Sequence, residues 1–151
     1  MTIDERLAEL GIELPAASAP VASYVMTRRS GSLLFVSGHI CRRDGQVVTG
    51  RLGESLSVQE GQALARATLL DILASVRAAV GSLDAVRGVV KLNGYVNSSS
   101  EFTEQPAVVN GASDLLAEVF GEAGRHSRAA VGVAQLPLGA AVELEAIFEV
   151  A

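Results

Sequence analysis

The chain is short of several things at once, and each shortage closes a class of function. Its 151 residues include one cysteine, Cys41, so no internal disulfide can form and a reducing cytoplasm is the expected compartment. A lone cysteine is read as a small, inert apolar residue. There is no tryptophan, and two tyrosines with four phenylalanines make a poor stacking platform for RNA. Twelve basic residues against seventeen acidic ones leave a net charge of −5, which gives no electrostatic case for nucleic acid or an anionic membrane. No stretch approaches the roughly 20 apolar residues of a membrane span. The opening MTIDERLAEL is acidic and lacks the apolar run of a secretory signal. Two histidines, His39 and His126, without an H-x-x-x-H spacing or a cysteine cluster, make no recognisable metal-ligand set.

What is present is apolar. Hydrophobic residues are 49% of the chain and charged ones 19%, a composition that folds around a core and leaves apolar surface for self-association. No repeat, linker or low-complexity tract divides it. Residues 1–20 read as a lead-in, with a helical turn over 4–10 and irregular chain from Gly11 to Pro20, and residues 21–151 read as one domain. A first strand is expected over Val21–Thr27, with Arg28-Arg29-Ser30-Gly31-Ser32 as a hairpin turn. Leu33–Val36 is a short buried strand that stops at Ser37-Gly38-His39. Asp44-Gly45 marks a turn, and Gln46–Leu52 a short strand. Arg42, Arg43 and Arg51 read as solvated loop residues.

Ser57-Val58-Gln59-Glu60 is a capping box opening a helix whose Ala65, Leu69, Ile72, Leu73, Val76 and Val80 share a face, with Gly81 as its C-cap. Val86–Val96 follows as a strand. A second helix begins near Thr103 with Pro106 in its first turn and ends at Gly121. Asn110 and Gly111 interrupt its apolar stripe at a cost in helix stability, so a contact is expected there. Arg128–Gln135 and Ala141–Val150 read as a terminal hairpin about Leu136-Pro137-Leu138-Gly139. In its last strand Val142, Leu144, Ala146, Phe148 and Val150 alternate with Glu143, Glu145, Ile147 and Glu149, giving one buried and one acidic face. The order β-β-(β)-α-β-α-β-β predicts an α+β fold, a single mixed sheet with both helices on one face.

The most chemical stretch runs from Gly124 to Pro137. Arg128 shares its strand face with only Ala130, Gly132 and Ala134, which leaves room beside a guanidinium whose planar fork matches a carboxylate. His126 stands two residues earlier, with a side chain suited to proton transfer near neutral pH. With the terminal turn centred near Leu138, Glu143 falls opposite Val133, five residues from Arg128. At about 3.3 Å per residue that is roughly 16 Å, so the two can line one cleft only from different chains.

Several of these pieces together resemble the RidA/YjgF family of small trimeric proteins, over nearly the whole chain. They are Tyr24 fourteen residues before Gly38, Val36-Ser37-Gly38, the capped helix from Ser57, and Asn110 in the second helix. R-x-x-V-x-V-A-x-L-P from Arg128 to Pro137 and V-E-L-E-A from Val142 to Ala146 complete the set. The resemblance implies a chorismate-mutase-like fold, a homotrimer with a central barrel, and clefts between subunits. It further implies hydrolysis of small carboxylate-bearing enamines or imines, such as 2-aminoacrylate and 2-iminobutanoate, to 2-oxoacids and ammonia without metal or cofactor. Matched position by position, Arg128 holds the substrate carboxylate and Glu143 positions the hydrolytic water, with Tyr24, Ser37, Gly38 and Asn110 lining the cleft. Ala130 departs from the family pattern, which commonly has Cys there. His39 stands where the family often has Gln, and Cys41 where it often has Pro. These departures, with a stretch near Thr103–Ala107 about three residues longer than usual, mark a divergent branch.

Two other readings compete. The same cleft in a non-catalytic module would sense 2-oxoacids or similar metabolites. A ribonuclease or translation inhibitor, also associated with the family, fits poorly with an acidic chain short of aromatics.

Overall fold

The computed structural model describes residues 1–20 and 23–151. Five strands form one sheet in the order β1-β2-β7-β5-β6, where β1 is Thr27–Ser30, β2 Leu33–Ile40, β5 Val86–Asn97, β6 Ser127–Val133 and β7 Val142–Val150. A two-stranded ribbon of β3, Arg42–Arg43, and β4, Gln46–Val47, leaves the main sheet. Two long helices, α2 (Val58–Val80) and α3 (Gln105–Phe120), cover one face, and a short α1 (Ile3–Glu9) abuts α3. This is the two-layer α+β arrangement expected from the element order.

Local chemistry places the helices. Thr2 caps α1 and Ser57 caps α2, each with a glutamate three residues on that returns the hydrogen bond, and Gly81 ends α2 at φ 87°. Leu64, Leu69, Ile72, Leu73 and Val76 then point inward, meeting Val108, Ala112, Leu115 and Leu116 of α3 and the inner residues of β7. Strand β7 shows the expected alternation. Val142, Leu144, Ala146, Phe148 and Val150 are all buried, while Glu143, Glu145 and Ile147 are half-buried and Glu149 is exposed on the other face. Among the described residues no helix is long and apolar enough to cross a membrane.

The terminal hairpin is not formed. Strand β6 pairs in parallel with β5, and β7 lies between β2 and β5, antiparallel to both. The segment β5-α3-β6 is therefore a crossover, with its helix packed back on the sheet. Val142–Val150 has the longest uninterrupted apolar face among the strands, and a central slot buries it from both sides. The intervening turn serves a longer return. Ala141 N donates to Val48 O, and Asn97 donates to Ala141 O from its backbone N and to Ala140 O from Nδ2, pinning the chain over the end of β5.

The first strands also shift. Of the described part of the expected first strand only Thr27 is strand, and the strand continues over Arg28–Ser30 where a turn was expected; only Gly31-Ser32 turns, with Gly31 at φ 61°. Val21 and Ala22 of the expected first strand lie outside the described residues. Strand β2 does not stop at Ser37-Gly38-His39. It runs to Ile40 through a register shift between Val36 and His39, so glycine here makes a bulge rather than an end. Of Gln46–Leu52 only Gln46–Val47 is strand, with isolated bridges at Thr49 and Leu52.

Gly111 does make a contact. A Cβ there would meet the backbone carbonyl of Gln62 on α2 well inside van der Waals range, so the two helices cross where side-chain bulk is missing. Gln62 Nε2 donates to Ala107 O at 2.9 Å at the same crossing. Helix propensity alone would make Gly111→Ala stabilising by about 1 kcal/mol. The crossing reverses the sign: the substitution is expected to destabilise by about 1–3 kcal/mol, read as a lower midpoint in urea denaturation.

Candidate functional site

The polar groups gather in two places, one on each face of the sheet. On the helix side, Arg128 leaves β6 toward α3. Its Nη1 donates to Asn110 Oδ1 at 2.7 Å and to Ser113 Oγ at 3.2 Å, and Nη2 donates to Pro106 O at 3.3 Å. The room expected beside the guanidinium is therefore partly occupied by α3. Three of the five N–H donors are spent on these neutral acceptors, which leaves Nε–H and one Nη2 hydrogen. Among the described residues no carboxylate comes within ion-pair distance of Arg128, while Arg6, Arg51, Arg66 and Arg125 each have one. The result is an oriented, half-exposed cation that keeps its charge.

His126 joins this cluster. Its Nδ1 lies 2.7 Å from Gly124 O and its Nε2 2.8 Å from Ser113 Oγ. Ala130, two residues further along β6 on the same face, is half-buried opposite Gly94, a glycine whose missing side chain admits Val109 of α3. Sequence reasoning missed Ser113. The available signal was its spacing, since Pro106, Asn110 and Ser113 stand at i, i+4 and i+7 and share one face of α3.

Glu143 lies on the opposite face. It pairs across β5 with Tyr95, which pairs with Val131 of β6, whereas Arg128 pairs with inward-facing Leu92. Its carboxylate covers Gly38, where a Cβ would collide with it, so the bulged glycine is what lets the acid lie against β2. Burial, then repulsion from Glu145, pushes the Glu143 pKa above the usual carboxylate range. Glu145 accepts from Tyr95 Oη at 2.6 Å and from Asn93 Nδ2 at 3.1 Å. That contact, with burial and the nearby acids, pushes the Tyr95 pKa up to about 12.

A cavity of about 470 Å³ opens beside Glu143, lined by Tyr24, Gly38, His39, Arg42, Asp71 and Leu138 among others. Tyr24, 42% exposed, also borders a second cavity of about 550 Å³ on the open sheet face, with Phe35, Ser37, Asn93 and Glu145. Ser37 is tied down, its Oγ donating to Val25 O at 2.6 Å and its N to Met26 O at 2.9 Å. His39 is only 5% exposed, with Nδ1 2.7 Å from Ser37 O and Nε2 2.9 Å from Ser75 Oγ. Burial lowers its pKa and outweighs the opposing Ser37 contact, so the ring is neutral near pH 7. Asp71, whose carboxyl burial pushes up against the pull of Arg42, was not singled out by sequence.

In short, Arg128, Asn110, Ala130 and His126 come together, and Glu143, Gly38, Ser37 and Tyr24 come together with the sheet between the two groups, while His39 borders the Glu143 cavity but turns inward opposite Leu144 to Ser75 of α2. Among the described residues no group of three or more His, Cys, Asp or Glu side chains is arranged to hold a metal ion.

Known proteins share this fold. Over residues 4–149 the chain matches the family described as "YjgF/chorismate mutase-like, putative endoribonuclease". It is 58% identical to Protein TCP17 of Trypanosoma cruzi over 145 residues, which covers 95% of this chain and 91% of that protein. The crystal structure of Atu1372 from Agrobacterium tumefaciens superposes with a TM-score of 0.91 at 49% identity, covering 99% of this chain and 92% of that one. A 2-iminobutanoate/2-iminopropanoate deaminase of Dermatophagoides farinae is 28% identical over 138 residues, 90% of this chain and 92% of that protein. With the family match running nearly end to end and the fold agreeing, the chain belongs to the YjgF/chorismate mutase-like family.

Proposed function

We propose that this protein hydrolyses small enamines or imines bearing a carboxylate, releasing a 2-oxoacid and ammonia, in clefts shared between copies of the chain. The observation that carries the reading is the state of Arg128. It is oriented by neutral acceptors, has no acidic partner among the described residues and has donors left over. Such a group is made for an incoming anion, and a substrate carboxylate fits its planar fork. The deaminase among the relatives acts on molecules of this class.

Glu143 supplies the second half. An enamine first takes a proton at its terminal carbon to become the imine. Water then adds to the carbon of this protonated imine, the C=N pair moving onto nitrogen, and gives up one proton to the Glu143 carboxylate, forming a neutral carbinolamine. Glu143 returns that proton to nitrogen, the C–N bond breaks as ammonia leaves, and the hydroxyl proton passes back to the Glu143 carboxylate, leaving the carbonyl. A carboxylate whose pKa lies above the ordinary range is the stronger base for this exchange. Ala130 has no thiol to offer, so the chemistry proposed rests on Arg128, Glu143 and water. Tyr24, Ser37, Gly38, Asn110 and His126 shape the two halves.

Arg128 and Glu143 lie on opposite faces of one sheet, and only a second copy can bring one against the other. We take the assembly to be a cyclic homotrimer. Arg128→Ala and Glu143→Gln subunits should then each be inactive alone. Co-assembled at random, they should recover about a quarter of wild-type activity, because one site in three is intact in every mixed trimer. Mixed trimers as inactive as the parents would sink the shared cleft.

The direct test is release of 2-oxoacid from freshly generated 2-aminoacrylate and 2-iminobutanoate. Wild type should accelerate it, and Arg128→Ala should lose at least about 100-fold in kcat/KM, as befits loss of a charged, bidentate contact. Binding of 2-oxobutanoate through Arg128 without turnover would instead make the protein a metabolite sensor.

Glu143 must be ionised to accept a proton, so kcat/KM should fall as pH drops through its raised pKa. Glu145→Gln removes a neighbouring negative charge and should lower the Glu143 pKa. The acid limb of the pH profile is expected to move to lower pH, and an unmoved limb would remove Glu143 as the base.

A further inference from the structure

The two histidines are built alike and end differently. Each ring has Nδ1 on the carbonyl two residues before it and Nε2 on a helix serine: Ser37 O and Ser75 for His39, Gly124 O and Ser113 for His126. A carbonyl oxygen has no hydrogen to give. In both rings Nδ1 therefore carries a proton, and in the uncharged form of the ring, the one the following argument uses, Nε2 accepts from the serine hydroxyl. At His39 the chain of hydrogen bonds stops inside the core. At His126 it continues, because Ser113 Oγ also lies 3.2 Å from Arg128 Nη1.

We propose that His126, acting through Ser113, is a positioning residue for the Arg128 guanidinium and sets how tightly that group takes a small carboxylate. The inference rests on reading Arg128 as the carboxylate clamp. Donation runs one way, from Arg128 Nη1 to Ser113, from Ser113 to His126, and from His126 to Gly124 O. Each donation polarises the next group and strengthens it as a donor. The imidazole's part is to choose the hydroxyl rotor. With Nε2 taking the serine hydrogen, Ser113 presents only lone pairs to the arginine. Without it the O–H is free to turn toward the guanidinium, where a donor would face a donor.

Neutrality gives the arrangement its use. Pro106 O, Asn110 Oδ1 and Ser113 Oγ hold the guanidinium from one face of α3, and none of them carries charge. An aspartate at position 113 would orient Arg128 as well, but would cancel the field that attracts the ligand. Ser113 and His126 give orientation while leaving the positive charge to the substrate. They act through Arg128 and need not touch the ligand themselves.

The test uses the full-length protein, with calorimetric titration of 2-oxobutanoate and thermal midpoints measured in parallel. Ser113→Ala and His126→Phe should each weaken binding about tenfold, the scale of one hydrogen bond to a charged group. Their double variant should be no weaker than either single one, because the two act in series. Ser113→Thr keeps the hydroxyl and should bind nearly as wild type. In turnover Ser113→Ala and His126→Phe should raise KM and hold kcat. Ser75→Ala breaks the matching contact at His39, and it should lower the midpoint without touching affinity.

If Ser113→Ala and His126→Phe lower the midpoint and leave affinity unchanged, both histidines are only rivets and the proposal is overturned. Additive losses in the double variant would overturn the serial link. Arg128→Ala separates the two levels of argument. Loss of binding in that variant alone leaves the clamp standing and ends this inference, whereas no loss there, or no binding by wild type, ends the clamp and this inference with it.

Discussion

Side chains on a strand alternate between faces, and this single geometric rule governs where every polar group of interest ends up. On β7 it sends five apolar residues into the core and Glu143 and Glu145 to the open side. On β6 it sends Arg128, Ala130 and Gly132 toward α3. Because β7 is central and β6 is at the edge, the acid is partly sheltered and the arginine partly exposed. A sheet with only one covered face cannot join these groups within a chain. The open face also carries Phe35 and Val131, 41% and 45% exposed, apolar area of the kind that copies of a chain bury against one another. On the proposed reading, self-association and a completed site are the same event.

Charge is handled differently on the two faces, for reasons that follow from solvation. Arg128 is held by neutral oxygens at a half-exposed position, so it retains hydration in the free protein at little desolvation cost. Glu143 is more sheltered and sits near another carboxylate, so its ionised form is penalised twice. Glu145 has Tyr95 and Asn93 as donors, and among the described residues Glu143 has no such pair. Two adjacent acids thus occupy unlike environments. One is held by two donors, and the other is left readier to take a proton.

How much of this was legible follows from how local each signal is. The capping box at Ser57, the Gly81 stop and the β7 alternation are written within a few residues, and they read correctly; the matching box at Thr2 went unread. Strand partnership is not local. Arg128–Gln135 and Ala141–Val150 look like a hairpin because both alternate and a Pro-Gly turn lies between them. What excludes the hairpin is competition from Val86–Asn97, which takes one strand on each side. The extra turn of β2 failed to register for a related reason: a bulge at Gly38 looks, in sequence, like a strand end. For the site, pattern and family resemblance named Arg128, Glu143, His126 and Asn110. Ser113 passed unnoticed, since a lone helix serine carries no signal until a guanidinium is known to point at it.

Gly38 and Gly111 show that missing side chains place functional groups as surely as present ones. At Gly38 the absence of a Cβ lets the Glu143 carboxylate settle against β2, which is part of why that acid is buried enough to change its basicity. At Gly111 the same absence lets the Gln62 backbone of α2 approach α3, fixing the helix that holds Pro106, Asn110 and Ser113. The first glycine tunes one half of the candidate site and the second seats the scaffold of the other. A methyl group at either position would therefore reach chemistry it does not touch: at Gly38 by displacing the acid, at Gly111 by shifting the helix that aims the cation. The two should be separable, because only the second also loosens the packing between α2 and α3.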